Sequence, residues 1–165
     1  LVTTFVLTVA FDLVVAIGVG IVLAAVLFMK RMSEETEVEG WKYIDDENDP
    51  DSITLREVPK NTVVYEVSGP LFFGAADKIL DITLKEYTHC LVLRMRGVSA
   101  IDATAMNSLE MLYKKCQSKG VSLVLSHVNE QPLHAMQKSG FYDAVGAENF
   151  CSHIDEALKR AEEIK

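Results

Sequence analysis

The stretch that decides the fold is Val98-Ser-Ala-Ile-Asp-Ala-Thr-Ala-Met-Asn-Ser-Leu-Glu-Met-Leu-Tyr-Lys-Lys-Cys116. It succeeds the alternating run Cys90 to Arg96, in which Leu91, Leu93 and Met95 share one side and Val92, Arg94 and Arg96 the other, the period of a strand. From Ala103 the period changes: Met106, Leu109, Leu112, Tyr113 and Cys116 fall on one side of a helix that runs to about Lys119 and stops at Gly120. At the junction stand Asp102 and Thr104, a carboxylate and a hydroxyl at the positive end of the helix. Asp102 is a good N-cap, able to accept from the first free backbone N–H groups. The same N–H groups and the helix dipole would also favour a phosphate on Thr104. The turn is thus either a plain helix start or a place where a hydroxyl accepts a phosphoryl group, with Asp102 first orienting it and then repelling the added charge.

Outward from this turn the pattern is α/β. Upstream, Ile53 to Val58 and Thr62 to Ser68 predict two strands close enough for a hairpin, broken by Pro59-Lys-Asn61 and ended by Gly69-Pro70. Leu71-Phe72-Phe73-Gly74 leads to a predicted helix from about Ala75 to Tyr87, carrying Ile79, Leu80 and Leu84 on one side. Downstream, Val121 to Ser126 predicts a strand. Helices are predicted over about Gln131 to Ser139, with Leu133 and Met136 inward, and over about Ser152 to Ile164, with Ser152 and Asp155 as a capping box. Strand, helix, strand repeats call for mostly parallel pairing. A sheet covered on both faces reads as continuous apolar runs. Here three strands set an apolar face against one bearing Glu66, Arg94, Arg96 and serines, so helices are expected mainly on one face.

The first 32 residues are of another kind. Residues 1 to 29 carry a single charge, Asp12, and Leu13 to Met29 is uncharged throughout. At about 1.5 Å per residue that run reaches the minimum for crossing a hydrocarbon core about 30 Å thick. Asp12 either marks a turn between two membrane helices or faces the interior of a bundle. Gly18 and Gly20 offer close helix approach. Lys30 and Arg31 come after the apolar run instead of before it, which excludes a signal peptide and places the chain beyond them in the cytoplasm. Ser33 to Ser52 is then a linker: nine acids against the single base Lys42, with Pro50 and no sustained period. Trp41 and Tyr43 either anchor it at the membrane interface or pack on a neighbouring domain.

The whole chain has 165 residues and a formal charge of −8, all of which resides in that linker. The remainder is balanced, so no basic field exists to bind nucleic acid. Cys90, Cys116 and Cys151 stand far apart and read as packed, reduced thiols. His89, His127, His134 and His153 lack metal-ligand spacing, and no glycine-rich phosphate loop or nucleophile elbow is present. No catalytic residue, metal or cofactor is expected. The start at Leu1 without a Met fits a piece of a longer protein.

Ile101-Asp102-Ala103-Thr104-Ala105, entering a helix after Arg94-Met-Arg-Gly97, resembles the signature turn of STAS domains. These are found in anti-sigma-factor antagonists and in sulfate-permease-type (SulP) anion transporters. Gly69-Pro-Leu-Phe-Phe-Gly-Ala-Ala76 is similar to the transporter form of the loop before the first STAS helix. Thr8-Val-Ala-Phe-Asp-Leu13, Gly18-Val-Gly20 and Phe28-Met-Lys-Arg-Met32 are similar to the last membrane segments of those transporters.

The resemblance implies a STAS fold: a mixed, mostly parallel sheet preceded by a transmembrane helix. Residues 1–32 would close a membrane domain, 33–52 would link, and 53–165 would be a cytoplasmic regulatory and assembly domain of an inorganic-anion transporter in the cell membrane. It further implies the remaining membrane domain, the lipid bilayer, a second copy in a homodimer and a cytoplasmic regulatory protein as partners. The anion site would lie outside this chain. Thr104 aligns with the residue phosphorylated in the antagonists, where Ser-Ser-Gly stands in place of Ala103-Thr104-Ala105. Leu71, Phe72 and Phe73 form either an interdomain contact or a lid on the core. The alternative function is a membrane-tethered, antagonist-like phospho-switch that binds a protein. Nucleotide binding rests on family analogy alone.

Overall fold

A computed structural model of the chain describes residues 1–3, 5–6, 13–34, 36–40, 56–72 and 76–164. Asp12, Trp41, Tyr43 and Phe73 lie outside these. The apolar run forms helix α1, Leu13–Glu34. Its stretch Leu13–Arg31 is 19 residues long with a mean hydropathy of 2.6, and only 6% of it is buried. A helix this apolar and this uncovered matches lipid, not water, by length and composition.

Two residues after α1 the chain enters a five-stranded sheet in the simple order β1-β2-β3-β4-β5. The strands are β1 (Glu37–Gly40), β2 (Thr62–Ser68), β3 (Cys90–Gly97), β4 (Ser122–Ser126) and β5 (Phe150–Cys151). β1 pairs antiparallel with β2, while β2, β3, β4 and β5 pair parallel. The first strand therefore comes from the acidic stretch read as a linker. The expected strand over Ile53 to Val58 does not form within its described part, Arg56 to Val58, and the hairpin with β2 is replaced by the pairing with β1. Val38 opposite Val67 supplies an apolar anchor in a segment otherwise acidic. Four residues are too few for periodicity to register.

Helices α2 (Ala76–Leu80), α3 (Ala103–Ser118), α4 (Glu130–Ser139) and α5 (Phe141–Val145) contribute to the larger core. On this front face Leu91, Leu93, Met95, Leu123 and Leu125 meet Leu109, Leu112 and Met136, all buried. Helix α6 (Ile154–Glu163) covers the back face, where Ile154, Ala157, Leu158 and Ala161 pack on Val64, Val92 and Val124. Helices do lie mainly in front, but the back face is not left to water: Glu66, Arg94 and Ser126 on it are buried too.

Several boundaries differ from the expected ones for identifiable reasons. α2 ends at Leu80, not near Tyr87. Beyond it Ile82 and Leu84 are buried from an irregular chain. Lys115 donates to the carbonyls of Leu80 and Ile82, and Lys119 to that of Leu84. These ammonium groups take the carbonyls that further helical turns would have used. α5 and β5 are not expected from the residues; both are too short for a period to show. The capping box at α6 does not form: His153 is the N-cap residue, the Ser152 N–H donates to Glu156, and Asp155 instead accepts from Arg56. α4 begins at Glu130 with Pro132 and Met136 buried and Leu133 only half-buried, and it ends as expected at Gly140, whose φ of 80° suits glycine.

Candidate functional site

The turn before α3 is held from three sides. At the helix start Asp102 adopts extended backbone (φ −99°, ψ 178°), and its Oδ1 accepts from the Ala105 N–H at 2.8 Å. The predicted cap is therefore present. Leu71 lies beside Ile101 in a one-residue parallel bridge. Its N–H donates to the Ala100 carbonyl at 2.9 Å, and its carbonyl accepts from the Asp102 N–H at 3.1 Å.

From the opposite side α4 and its N-cap contribute two amide side chains. Asn129 donates to the carbonyls of Val98 (2.6 Å) and Arg96 (3.0 Å). Gln131 accepts from the Ile101 N–H at 2.9 Å and donates to its carbonyl. Below, Val98 and Ile101 are buried in the core. Asn129 and Gln131 were missed by sequence reasoning. An amide just before or inside a helix start is too common to signal a long-range clamp.

Thr104 stands exposed in the first turn of α3, on the solvent side of this clamped platform. Its neighbours along the helix surface, Asn107 and Met111, are also exposed. A shallow polar depression beside the turn is lined by Ser99, Asn129, Glu130, Gln131 and His134. A hydroxyl near helix N–H groups can hold an anion or accept a phosphoryl group, but among the described residues the surroundings assemble no nucleophile and base.

Leu71 is fully buried. It belongs to the core and has no surface left for another domain, so of the apolar loop only Phe72, half-buried, remains as a described contact candidate. Phe73 lies outside the described residues.

The other polar group is on the back face. Glu66, Arg94 and Ser126 occupy one row across β2, β3 and β4. Arg94 Nη1 lies 3.0 Å from Glu66 Oε2, and Arg96 Nη2 lies 3.7 Å from Oε1. Burying an ion pair costs desolvation on both partners and needs this close geometry to break even. At the end of β4, His127 has a left-handed φ of 53°, and its Nε2 is 3.3 Å from His153 Nδ1. No group of three or more His, Cys, Asp or Glu able to hold a metal occurs among the described residues.

The thiols are unsuited to nucleophilic work. Burial pushes Cys90 up to about 12 and Cys116 up to about 11, and it also raises half-buried Cys151. A thiol is reactive as its thiolate, which these environments disfavour.

With fold and turn in view, comparison with known proteins is decisive at one point. Residues 53–157 match the family model described as "STAS domain". The chain belongs to the STAS domain family. YvdB of Bacillus subtilis (strain 168), a protein named for sulfate transport, is 32% identical over 160 residues, covering 94% of this chain and 29% of that protein. The bicarbonate transporter BicA of Synechocystis sp. is 27% identical over 163 residues, again covering 94% of this chain and 29% of the relative. Among solved structures, a sulfate transporter family protein from Wolinella succinogenes is 38% identical with a TM-score of 0.66, covering 71% of this chain and 98% of that one. This STAS chain thus spans under a third of the length of the curated relatives it matches, which are named for sulfate and bicarbonate transport.

Proposed function

We propose that the chain is the C-terminal part of a SulP-type anion transporter: α1 as its last membrane helix, and the sheet as a cytoplasmic STAS domain that supports assembly and regulates transport. The observation that carries this reading is the direct passage from a lipid-matched helix into the sheet. α1 ends at Glu34 and β1 begins at Glu37, a spacing that supports a domain held close to the bilayer. Lys30 and Arg31 at the helix end fit a cytoplasmic exit.

The transported ion, sulfate, bicarbonate or a similar inorganic anion, would bind in parts of the protein outside this chain. A second copy, the rest of the membrane domain and a cytoplasmic regulatory protein are the expected partners, with Phe72 and Phe73 offered as one contact with them. Deleting residues 53–165 from the full-length transporter should impair anion uptake in proteoliposomes. Unchanged insertion together with unchanged flux would overturn the regulatory role.

The exposure of Thr104 favours a second use of the same surface, as a phosphoryl acceptor. A phosphate there would gain from the α3 N-terminus and oppose Asp102. Thr104→Glu should then change transport or partner binding while Thr104→Ser leaves both intact; equal behaviour of the two leaves Thr104 as part of a plain helix start.

A further inference from the structure

Thr36, between α1 and β1, is fully buried although it is polar. A buried hydroxyl must find a partner, and this one donates to the Pro70 carbonyl at 2.7 Å. The geometry explains why a side chain is needed there. The β1–β2 ladder ends at Glu37 opposite Ser68. The next residue of β2's chain, Gly69, turns away at φ 89° and gives its N–H to the Gly97 carbonyl instead. Thr36 Oγ1 thus supplies the connection at the point where the backbone ladder stops. From the other side, Lys78 of α2 donates to the Thr36 carbonyl at 2.5 Å, a charge-assisted bond.

Pro70 is covalently joined to Leu71, and Leu71 is bonded through both its N–H and its carbonyl to Ala100 and Asp102. Asp102 in turn caps α3. Thr36, two residues beyond the end of the apolar helix, is therefore connected to the exposed Thr104 turn by one run: Thr36 to Pro70, Leu71 to Asp102, Asp102 to Ala105.

We propose that Thr36 and Lys78 form a latch through which displacement of the membrane helix is passed to the Asp102–Thr104 turn, and through which changes at that turn are passed back. The latch deepens the regulatory reading given above and rests on it for its biological meaning, but its physical content is separate. A shift of α1 that reaches Thr36 must either break its bond to Pro70 or carry Pro70 and Leu71 with it. In the second case the residues that move next are Ala100 and Asp102, because Leu71 is fastened to them on both its polar groups.

Coupling between two sites is reciprocal, and this provides the test. Hydrogen–deuterium exchange would be followed on the full-length transporter in lipid nanodiscs. Thr36→Val, which keeps shape and removes the donor, should speed exchange at Leu71, Ala105 and Met106 by at least about threefold, the scale of coupling between linked contacts. β4 and α6 should be unchanged, and Thr36→Ser should restore the wild-type rates. Asp102→Ala, which removes the cap acceptor, should in turn speed exchange over residues 36–40.

Acceleration confined to residues 36–40 and 69 would overturn the latch, leaving Thr36 as a local anchor. Uniform acceleration including β4 and α6 would overturn it as well, as general loosening. If Thr36→Val does not fold, Lys78→Gln removes the other half from an accessible position and must give the same distribution of effects. Loss of the exchange pattern leaves the regulatory reading standing, whereas flux that ignores deletion of residues 53–165 overturns the regulatory reading and leaves the latch intact.

Discussion

On the front face of the sheet Leu91, Leu93, Met95, Leu123 and Leu125 meet α3 and its neighbours through a largely apolar core. On the back face one row, Val64, Val92 and Val124, meets α6 in the same way, but the next row along the same strands is Glu66, Arg94 and Ser126, buried and polar. The front face gains stability from area removed from water and tolerates any apolar set of the right volume. The back face adds an ion pair that contributes little net stability and penalises misplacement heavily. A one-residue slip of β3 would carry Arg94 into the front core. The two faces thus divide the work: the front supplies stability, and the back fixes register.

The largest expected effect tests that division directly. Arg94→Met leaves Glu66 buried with only the longer contact to Arg96 and should cost about 3 kcal/mol in urea unfolding of the chain in detergent. The double variant Glu66→Leu with Arg94→Met should recover most of the loss. A single variant costing under about 1 kcal/mol would remove the distinction between the faces.

On the front, Leu109→Ala should cost about 3 kcal/mol, with no partner substitution able to restore it, because the loss is of packing volume. At the turn, Asp102→Ala should cost about 1 kcal/mol and increase amide exchange in the first turn of α3 specifically.

The smallest effect belongs to the surface pair that closes over α6. Arg56 donates to Asp155 and holds its carboxyl below the ordinary 3.8. With the folded value depressed, the stabilisation is complete above about pH 3.8 and disappears as pH falls through the lower folded value. Asp155 is largely exposed, so Arg56→Ala should cost no more than about 0.5 kcal/mol at pH 7, and less as pH falls below 3.8.

The same asymmetry explains what the residues disclose in advance. Long periodic elements are legible: α3 with its Asp102 cap, strands β2, β3 and β4, and the apolar α1. The back face is misread because alternation reports which residues share a face and not whether that face is covered. Arg94 and Glu66 look like surface residues until the register shows them side by side. β1 is hidden in an acidic run, since only Val38 among its residues is a good strand former.

The candidate site is half legible. Asp102 and Thr104 stand out by capping preference and family resemblance. Leu71, Asn129 and Gln131 act through backbone groups distant in sequence, and no local pattern encodes that. Leu71 in particular groups with Phe72 and Phe73 by hydrophobicity, whereas its position beside Ile101 sets it apart.

The place of β1 has a practical consequence for handling the domain in isolation. The family match runs from residue 53 to residue 157. A fragment cut there would lack β1 and the last six residues of α6. β2 would then become an open sheet edge, seven residues long, with its N–H and C=O groups offered to any neighbouring chain. Such a fragment should self-associate, whereas one beginning at Thr36 and retaining α6 carries its own edge protection. In the intact chain that protection comes from the segment that directly follows the apolar helix α1, so the sheet is not complete without it.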